Sequence, residues 1–264
     1  MSFHASGDGG EALEALRPLL MLADAFDGAL GPGELGATPA LLDALAGAGL
    51  VVRNPVSGRY QLGPAAARLA DAFYPFSPSP YEALRQLARP SVERALADTG
   101  EAVFLSVRSG HELLYLDAVM PPTAVRMVGR PGDRDLLYAT SQGKVLLAFL
   151  PAARREAIVQ YLRFERLTAR TATDRRRFLA ELEEVRRQGF ALQNEEREEG
   201  IRAVAAPVLS PSGYPMAAVC IAGPSSRLGS GDLEGRLAGA ARAAAGDIAA
   251  LLFTAGPGPE GEPR

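Results

Sequence analysis

Apolar and polar positions along the chain separate two blocks of different rhythm. Residues 11–27 carry Leu13, Leu16, Leu20 and Ala23 at the spacing of one helix face, with Pro18 inside the run as a kink or a late start. GALGPGELGA follows, with glycines at 28, 31, 33 and 36 that a regular helix tolerates poorly. Thr38 is placed to cap a short helix over 39–50 with Pro39 at its first position. The apolar runs Leu50 to Val52 and Tyr60 to Leu62, separated by Asn54-Pro-Val-Ser-Gly58, predict a hairpin, and Pro64 opens a helix to about Phe73. YPFSPSPY (74–81) holds three prolines and two serines and reads as a domain boundary.

Beyond the boundary the pattern predicts a helix from about 81 to 98, ended by Gly100. A second hairpin follows at 101–108 and 112–119 around Ser109-Gly110. Ser141 precedes a helix in QGKVLLAFL, Pro151 opens another, and Thr173 caps a third from Asp174 to Gln188, closed by Gly189. FALQN, IRAVAAPVL and YPMAAVCIAG read as strands, with Ser210 to Gly213 as the turn between the last two. A helix over 232–253 and a disordered tail finish the chain. The class is α+β. The segments are a small helix-rich domain with a hairpin at 11–76, a linker helix at 77–98, a hairpin-rich sheet covered by helices at 99–254, and a tail at 255–264.

Composition narrows the chemistry. Of 264 residues, 47% are hydrophobic and 22% charged, which is ordinary for a globular protein. Cys220 is the single cysteine and His4 and His111 the two histidines, so a disulfide, a CxxC pair and a multi-histidine metal site are not expected. The absence of an 18-residue apolar run and of basic and apolar leader regions gives the expectation of a soluble, cytoplasmic chain that meets no membrane and carries no metal. Lys144 is the only lysine. Residues 1–76 hold four basic residues (Arg17, Arg53, Arg59, Arg68) and eight acidic ones (Asp8, Glu11, Glu14, Asp24, Asp27, Glu34, Asp43, Asp71), a net charge of −4. Residues 77–264 carry 24 basic and 23 acidic residues.

Three segments carry a resemblance. LVVRNPVSGRYQLGPAAARLA (50–70) looks like the wing and following helix of the IclR family of bacterial transcriptional regulators. LLYATSQGKVLLAFLP (136–151) resembles the segment opening a helix in that family's effector domain. ELEEVRRQGFALQNEEREEGIRAVAAPVLSPSGYPMAAVCIAGPSSRL (181–228) resembles its C-terminal signature. The resemblance implies an N-terminal winged helix-turn-helix, a linker helix, a GAF-like domain that binds a small metabolite, and homodimers that can pair into tetramers; it calls for no cofactor. It places ligand contacts at Ser141, Gln142, Gln193, Ala203, Cys220 and Ala222. The alanines make the site less polar and favour a larger, partly apolar metabolite over a small, highly charged keto-acid.

Departures from the family are concentrated in the first domain. The supporting helix of the motif is deleted or reduced to one turn, because only GALGPGELGA fills its place. The reading helix, residues 39–50, contains no Arg, Lys, Ser, Thr, Asn or Gln, and its one charge is Asp43. Base edges are read by hydrogen-bonding side chains and phosphates by cations. Arg53 and Arg59 beside the wing are therefore the available phosphate contacts, DNA binding is doubtful, and the domain reads as a degenerate motif that serves dimerisation.

Three functions follow: a small-molecule-responsive regulator of IclR type with an eroded reading helix; an enzyme of cyclase, isomerase or lyase type built on the effector pocket in a biosynthetic pathway of secondary metabolism; or a metabolite sensor acting through a partner protein. For the enzyme, Glu195, Glu196, Tyr138 and Gln142 are the acid-base candidates. Each also has a plainer reading. The run Glu195, Glu196, Glu198, Glu199 suits a solvated loop in which Arg202 pairs with a neighbour, Tyr138 can simply pack, Cys220 suits a small buried hydrophobe, and Arg175 to Arg177 suit the solvent face of a helix start.

Overall fold

The computed structural model describes residues 17–19, 21–22, 29–66, 81–124 and 126–253. The chain divides into two compact units, Met1–Pro80 and Tyr81–Arg264. Most of the helix expected over 11–27, the later part of the one opening at Pro64, the proline-rich segment up to Pro80 and the tail lie outside the described residues.

The first unit is a small winged helix. Residues 17–19 and 21–22 are helical, and β1 (Ala29–Leu30), α1 (Pro32–Leu35), α2 (Pro39–Gly47), β2 (Val51–Arg53) and β3 (Tyr60–Leu62) follow. The three strands form an antiparallel sheet in the order β1-β3-β2. The glycine-rich segment, where the supporting helix was expected to be deleted or reduced to one turn, holds a two-residue strand and one helical turn. The Gly31 amide donates to the Glu34 carboxylate at 2.6 Å, Pro32 supplies a preset φ at the helix start, and Gly36 ends the turn at φ +59°. Thr38 caps α2, its hydroxyl accepting from the Leu41 amide at 3.3 Å. Leu42 and Leu45 of α2 turn inward onto Leu22, Leu35, Val51 and Tyr60. In the wing, Asn54 Oδ1 accepts from the Val56 and Ser57 amides at 2.9 and 3.0 Å.

The second unit is a GAF-like domain built on one six-stranded antiparallel sheet. Its elements are α3 (Glu82–Thr99), β4 (Ala102–Ser109), β5 (Glu112–Val119), β6 (Arg134–Leu136), α4 (Ser141–Ala148), α5 (Ala152–Tyr161), α6 (Arg175–Gln188), β7 (Ala191–Asn194), β8 (Ile201–Leu209) and β9 (Pro215–Pro224). A helical stretch from Ser230, through a π turn at Leu233–Leu237, leads into α7 (Ala238–Phe253). Strand order is β6-β5-β4-β9-β8-β7. The cap of α6 is Asp174, one residue beyond the expected Thr173: its Oδ1 accepts from the Arg177 amide at 2.7 Å.

Strand alternation sorts the sheet into two unequal faces. Val103, Leu105, Val204, Val219 and Ile221 pack with Val92 of α3 and Ile248 of α7. Ala102, Ala203, Ala205, Cys220 and Ala222 point the other way, toward α4 and α6. The small residues let α4 come close enough that all eight of its residues are buried. A Cβ on Gly143 would lie 2.2 Å from the Leu137 carbonyl oxygen, so only glycine fits there.

Candidate functional site

The small-residue face forms the floor of a crevice. Register aligns Gln193 with Ala203, Ala203 with Ala222 and Ala222 with Ala102 across four strands. One step along, Ala205, Cys220 and Phe104 are aligned in the same way. Phe104 rises from the floor as a wall, edge-on to Tyr115 at 5.5 Å between ring centroids. Gly129 is close against that ring: an added Cβ would be 2.9 Å from Phe104 Cε1. Met127, from the same segment, and Ile201 complete the apolar lining, and Gln142 enters from the first turn of α4. The enclosed volume is about 20 Å³, room for about one water.

A polar rim faces this apolar floor. The Tyr115 hydroxyl donates to Asp135 Oδ2 at 3.4 Å, and Arg197 Nε donates to Asp135 Oδ1 at 2.6 Å. Arg197 is the one cation among the lining residues. Burial, reinforced by the Asp135 charge, pushes the Tyr115 phenol well above its ordinary range, so it stays a donor. Gln193 is buried and donates from Nε2 to the Ile201 carbonyl at 3.4 Å.

Of the residues expected at a ligand site, Gln142, Gln193, Ala203, Cys220 and Ala222 all line the crevice. Ser141 sits behind it, fully buried, with its hydroxyl 3.5 Å from Cys220 Sγ. The acid-base candidates other than Gln142 are engaged elsewhere. The Tyr138 hydroxyl donates to the Glu165 carbonyl at 3.1 Å, accepts from the Glu165 amide at 3.0 Å, and lies outside the lining. Glu195 pairs with Arg202 at 3.4 Å. Glu196 turns under the loop to Lys144, whose ammonium is fully buried between Glu196 (2.7 Å), Glu181 (2.6 Å) and the Leu192 carbonyl (3.0 Å). Desolvation holds the Glu196 carboxyl above the usual carboxylate range even with Lys144 beside it. Burial pushes the Cys220 thiol up to about 12, so it is protonated and a poor nucleophile at neutral pH. Cys220 is the one thiol in the lining, and Gln142 is the one acid-base candidate that lines the crevice.

Lining residues that the sequence leaves unmarked are Phe104, Tyr115, Met127, Asp135, Thr140, Arg197 and Ile201. Phe104 is signalled only by its register opposite Cys220, which needs the β4-β9 pairing. Arg197 was visible as a cation inside the glutamate run, but its partner lies 62 residues away.

On the first unit, Arg53 is exposed and lies over the Tyr60 ring at 6.0 Å. Arg59 donates from Nη2 to the Ala29 carbonyl at 2.7 Å and faces Glu34 at 3.6 Å, so the wing itself uses it. The exposed residues of α2 are Pro39, Ala40, Asp43, Ala44, Ala46 and Gly47. Among the described residues, no helix is long and apolar enough to cross a membrane.

Residues 81–250 match the family described as bacterial transcriptional regulator IclR C-terminal. The chain is similar to the HTH-type transcriptional regulator BhcR of Paracoccus denitrificans, 32% identical over 71% of this chain, a match that spans 66% of that protein's length. It is similar to the HTH-type transcriptional regulator Rv1719 of Mycobacterium tuberculosis, 34% identical over 84% of this chain and 85% of that protein. A similar solved structure is that of a double mutant of the PobR transcription factor inducer-binding domain from Acinetobacter, in complex with 3-hydroxybenzoic acid. It superposes with a TM-score of 0.58 and 28% identity, covering 62% of this chain and 96% of that one.

Proposed function

The chain belongs to the IclR family of bacterial transcriptional regulators, and from that premise we propose that it responds to a small, partly apolar carboxylic acid bound in the crevice. The observation that carries this reading is the convergence of Gln142, Gln193, Ala203, Cys220 and Ala222 on one concavity whose rim holds one cation, Arg197, beside the carboxylates of Asp135 and Glu198. An apolar floor suits a ring or short aliphatic body, and a few placed polar groups fix its orientation. An incoming carboxylate can take Arg197 from Asp135, since a guanidinium binds either carboxylate in the same geometry. The 3-hydroxybenzoic acid bound to the PobR domain is an acid of this class. Drug-sized pockets measure about 300 Å³ or more, so binding displaces the segment carrying Met127 or the loop carrying Arg197. That displacement is a signal the fold can transmit.

The same reading assigns the first unit a minor role in sequence recognition. Exposed α2 offers bases one carboxylate, Asp43, and no donor, so contact with DNA falls to phosphate attraction by Arg53. We further propose a homodimer, in keeping with the family and with a first-unit core of only a few side chains.

Isothermal titration of the full chain with benzoate and 3-hydroxybenzoate tests the effector reading. Saturable binding is expected, absent in Ala222→Phe and Ala203→Phe, which fill the floor, and weakened by on the order of 1 kcal/mol in Gln193→Ala. No saturable binding of either acid, or binding unchanged in the folded phenylalanine variants, contradicts it.

A further inference from the structure

The loop between α5 and α6 builds a second concavity that the effector reading does not use. It is a cleft of about 510 Å³, lined by Arg166, Arg170 and Arg177 together with Asp174, Glu181, Asn194 and Glu196. The loop is held in place. Thr168 and Thr171 are buried, and their hydroxyls donate to the Glu195 and Glu196 carbonyls at 2.8 and 2.7 Å. Thr171 Oγ1 also accepts from the Leu167 and Thr168 amides at 3.1 and 2.8 Å.

In the cleft the carboxylates have partners among the described residues and the exposed guanidinium groups do not. Asp174 caps α6, while Glu181 and Glu196 share Lys144. Asn194 Oδ1 accepts from Arg202. The guanidinium groups of Arg166, Arg170 and Arg177 make no hydrogen bond or ion pair with any described residue. Elsewhere in this unit some arginines find carboxylates, as Arg89 with Asp117, Arg197 with Asp135 and Arg227 with Glu101, while exposed Arg163 and Arg176 find none among the described residues. Counting Lys144, four cations face three carboxylates, Asp174, Glu181 and Glu196, so the three exposed guanidinium groups carry a small positive excess that an anion between them offsets. Guanidinium groups match carboxylate and phosphate oxygens with paired donors.

We propose that this cleft is a second small-molecule site, for a ligand carrying two or more closely spaced negative charges, as in a phosphate ester or a polycarboxylate. It is separate from the crevice, with which it shares no lining residue.

The test is titration of the full chain with pyrophosphate and with citrate near physiological ionic strength, with benzoate, the ligand proposed for the crevice, titrated alongside. Saturable binding of at least one polyanion is expected, and which of the two is tighter distinguishes phosphate from carboxylate chemistry. Arg170→Gln and Arg177→Gln should each weaken it about tenfold or more, and the triple change with Arg166→Gln should abolish it. These side chains are exposed, so the thermal melt of each variant should match the parent, which shows that the fold is intact. Gln193→Ala, in the crevice, should leave polyanion affinity unchanged, so loss of benzoate binding and loss of pyrophosphate binding are read independently. Absence of saturable binding for both polyanions overturns the proposal, as does binding that survives the triple change. A triple variant that loses only DNA affinity overturns it too, by assigning the arginines to nucleic acid.

Discussion

Helices α2 and α4 begin with the same device and end with opposite surfaces. Each is short and capped by a threonine hydroxyl, Thr38 on the Leu41 amide and Thr140 on the Gly143 amide at 3.2 Å. Helix α2 buries Leu42 and Leu45 and shows solvent alanine, glycine and one aspartate. Helix α4 is buried throughout and carries Ser141, Gln142 and Lys144 inside. The contrast extends to the units around them. Among the described residues, every buried polar or charged side chain, from Ser91 to Gln193, lies in the second unit. Buried polar groups are unfavourable unless partnered or used. Thr140, Ser141, Gln142, Lys144 and Gln193 among them lie at the crevice or in the Lys144 network, which, beside a bare α2, suits the proposal of an effector-sensing chain with an eroded base-reading helix.

The comparison breaks most severely at Lys144. Lys144→Met leaves Glu196 buried with no cation and should destabilise the second unit by about 3–5 kcal/mol. Arg53→Met on the exposed wing should cost less than about 0.5 kcal/mol. Urea unfolding of both variants checks the pair, and a Lys144 loss as small as that of Arg53 would mean the buried network contributes nothing. Next are the two caps: Thr38→Ala and Thr140→Ala should each cost about 1 kcal/mol by the same unfolding measurement. Thr140 should stand at the upper end, because its hydroxyl also donates to the Leu136 carbonyl at 2.7 Å. The smallest effect is at Cys220. With its thiol pushed up to about 12, it stays protonated below that pH, so the native chain should resist a thiol reagent at pH 8 and react on unfolding; Cys220→Ser should be mild.

The local parts of the fold were legible, and the non-local parts were not. Thr38-Pro39, Asn54 to Gly58 and Gly189 announce their structures within a few residues, and the elements expected there are present. Strands β1 and β6 have two and three residues, and they exist through pairing with β3 and β5. No short run in the sequence carries that information. At the candidate site, Gln193, Ala203, Cys220 and Ala222 could be named because they stand in a long signature segment. The rim of Tyr115, Asp135 and Arg197 could not, because it is assembled from three segments far apart in sequence. Side-chain direction was the other unreadable quantity: Glu196 and Tyr138 sit near the expected positions but turn to Lys144 and to the Glu165 backbone.

The most direct test of the contrast between α2 and the crevice is fluorescence anisotropy of the full chain on its own upstream DNA and on a scrambled duplex of equal length, across a salt series. The expected result is similar affinity for both duplexes, in the non-specific range of about 10⁻⁴–10⁻⁶ M, with a shallow salt slope set by a few phosphate contacts. Affinity for the upstream sequence of about 10⁻⁸ M or tighter, at least about 10³-fold above the scrambled duplex, would contradict it and show that the first unit reads bases after all.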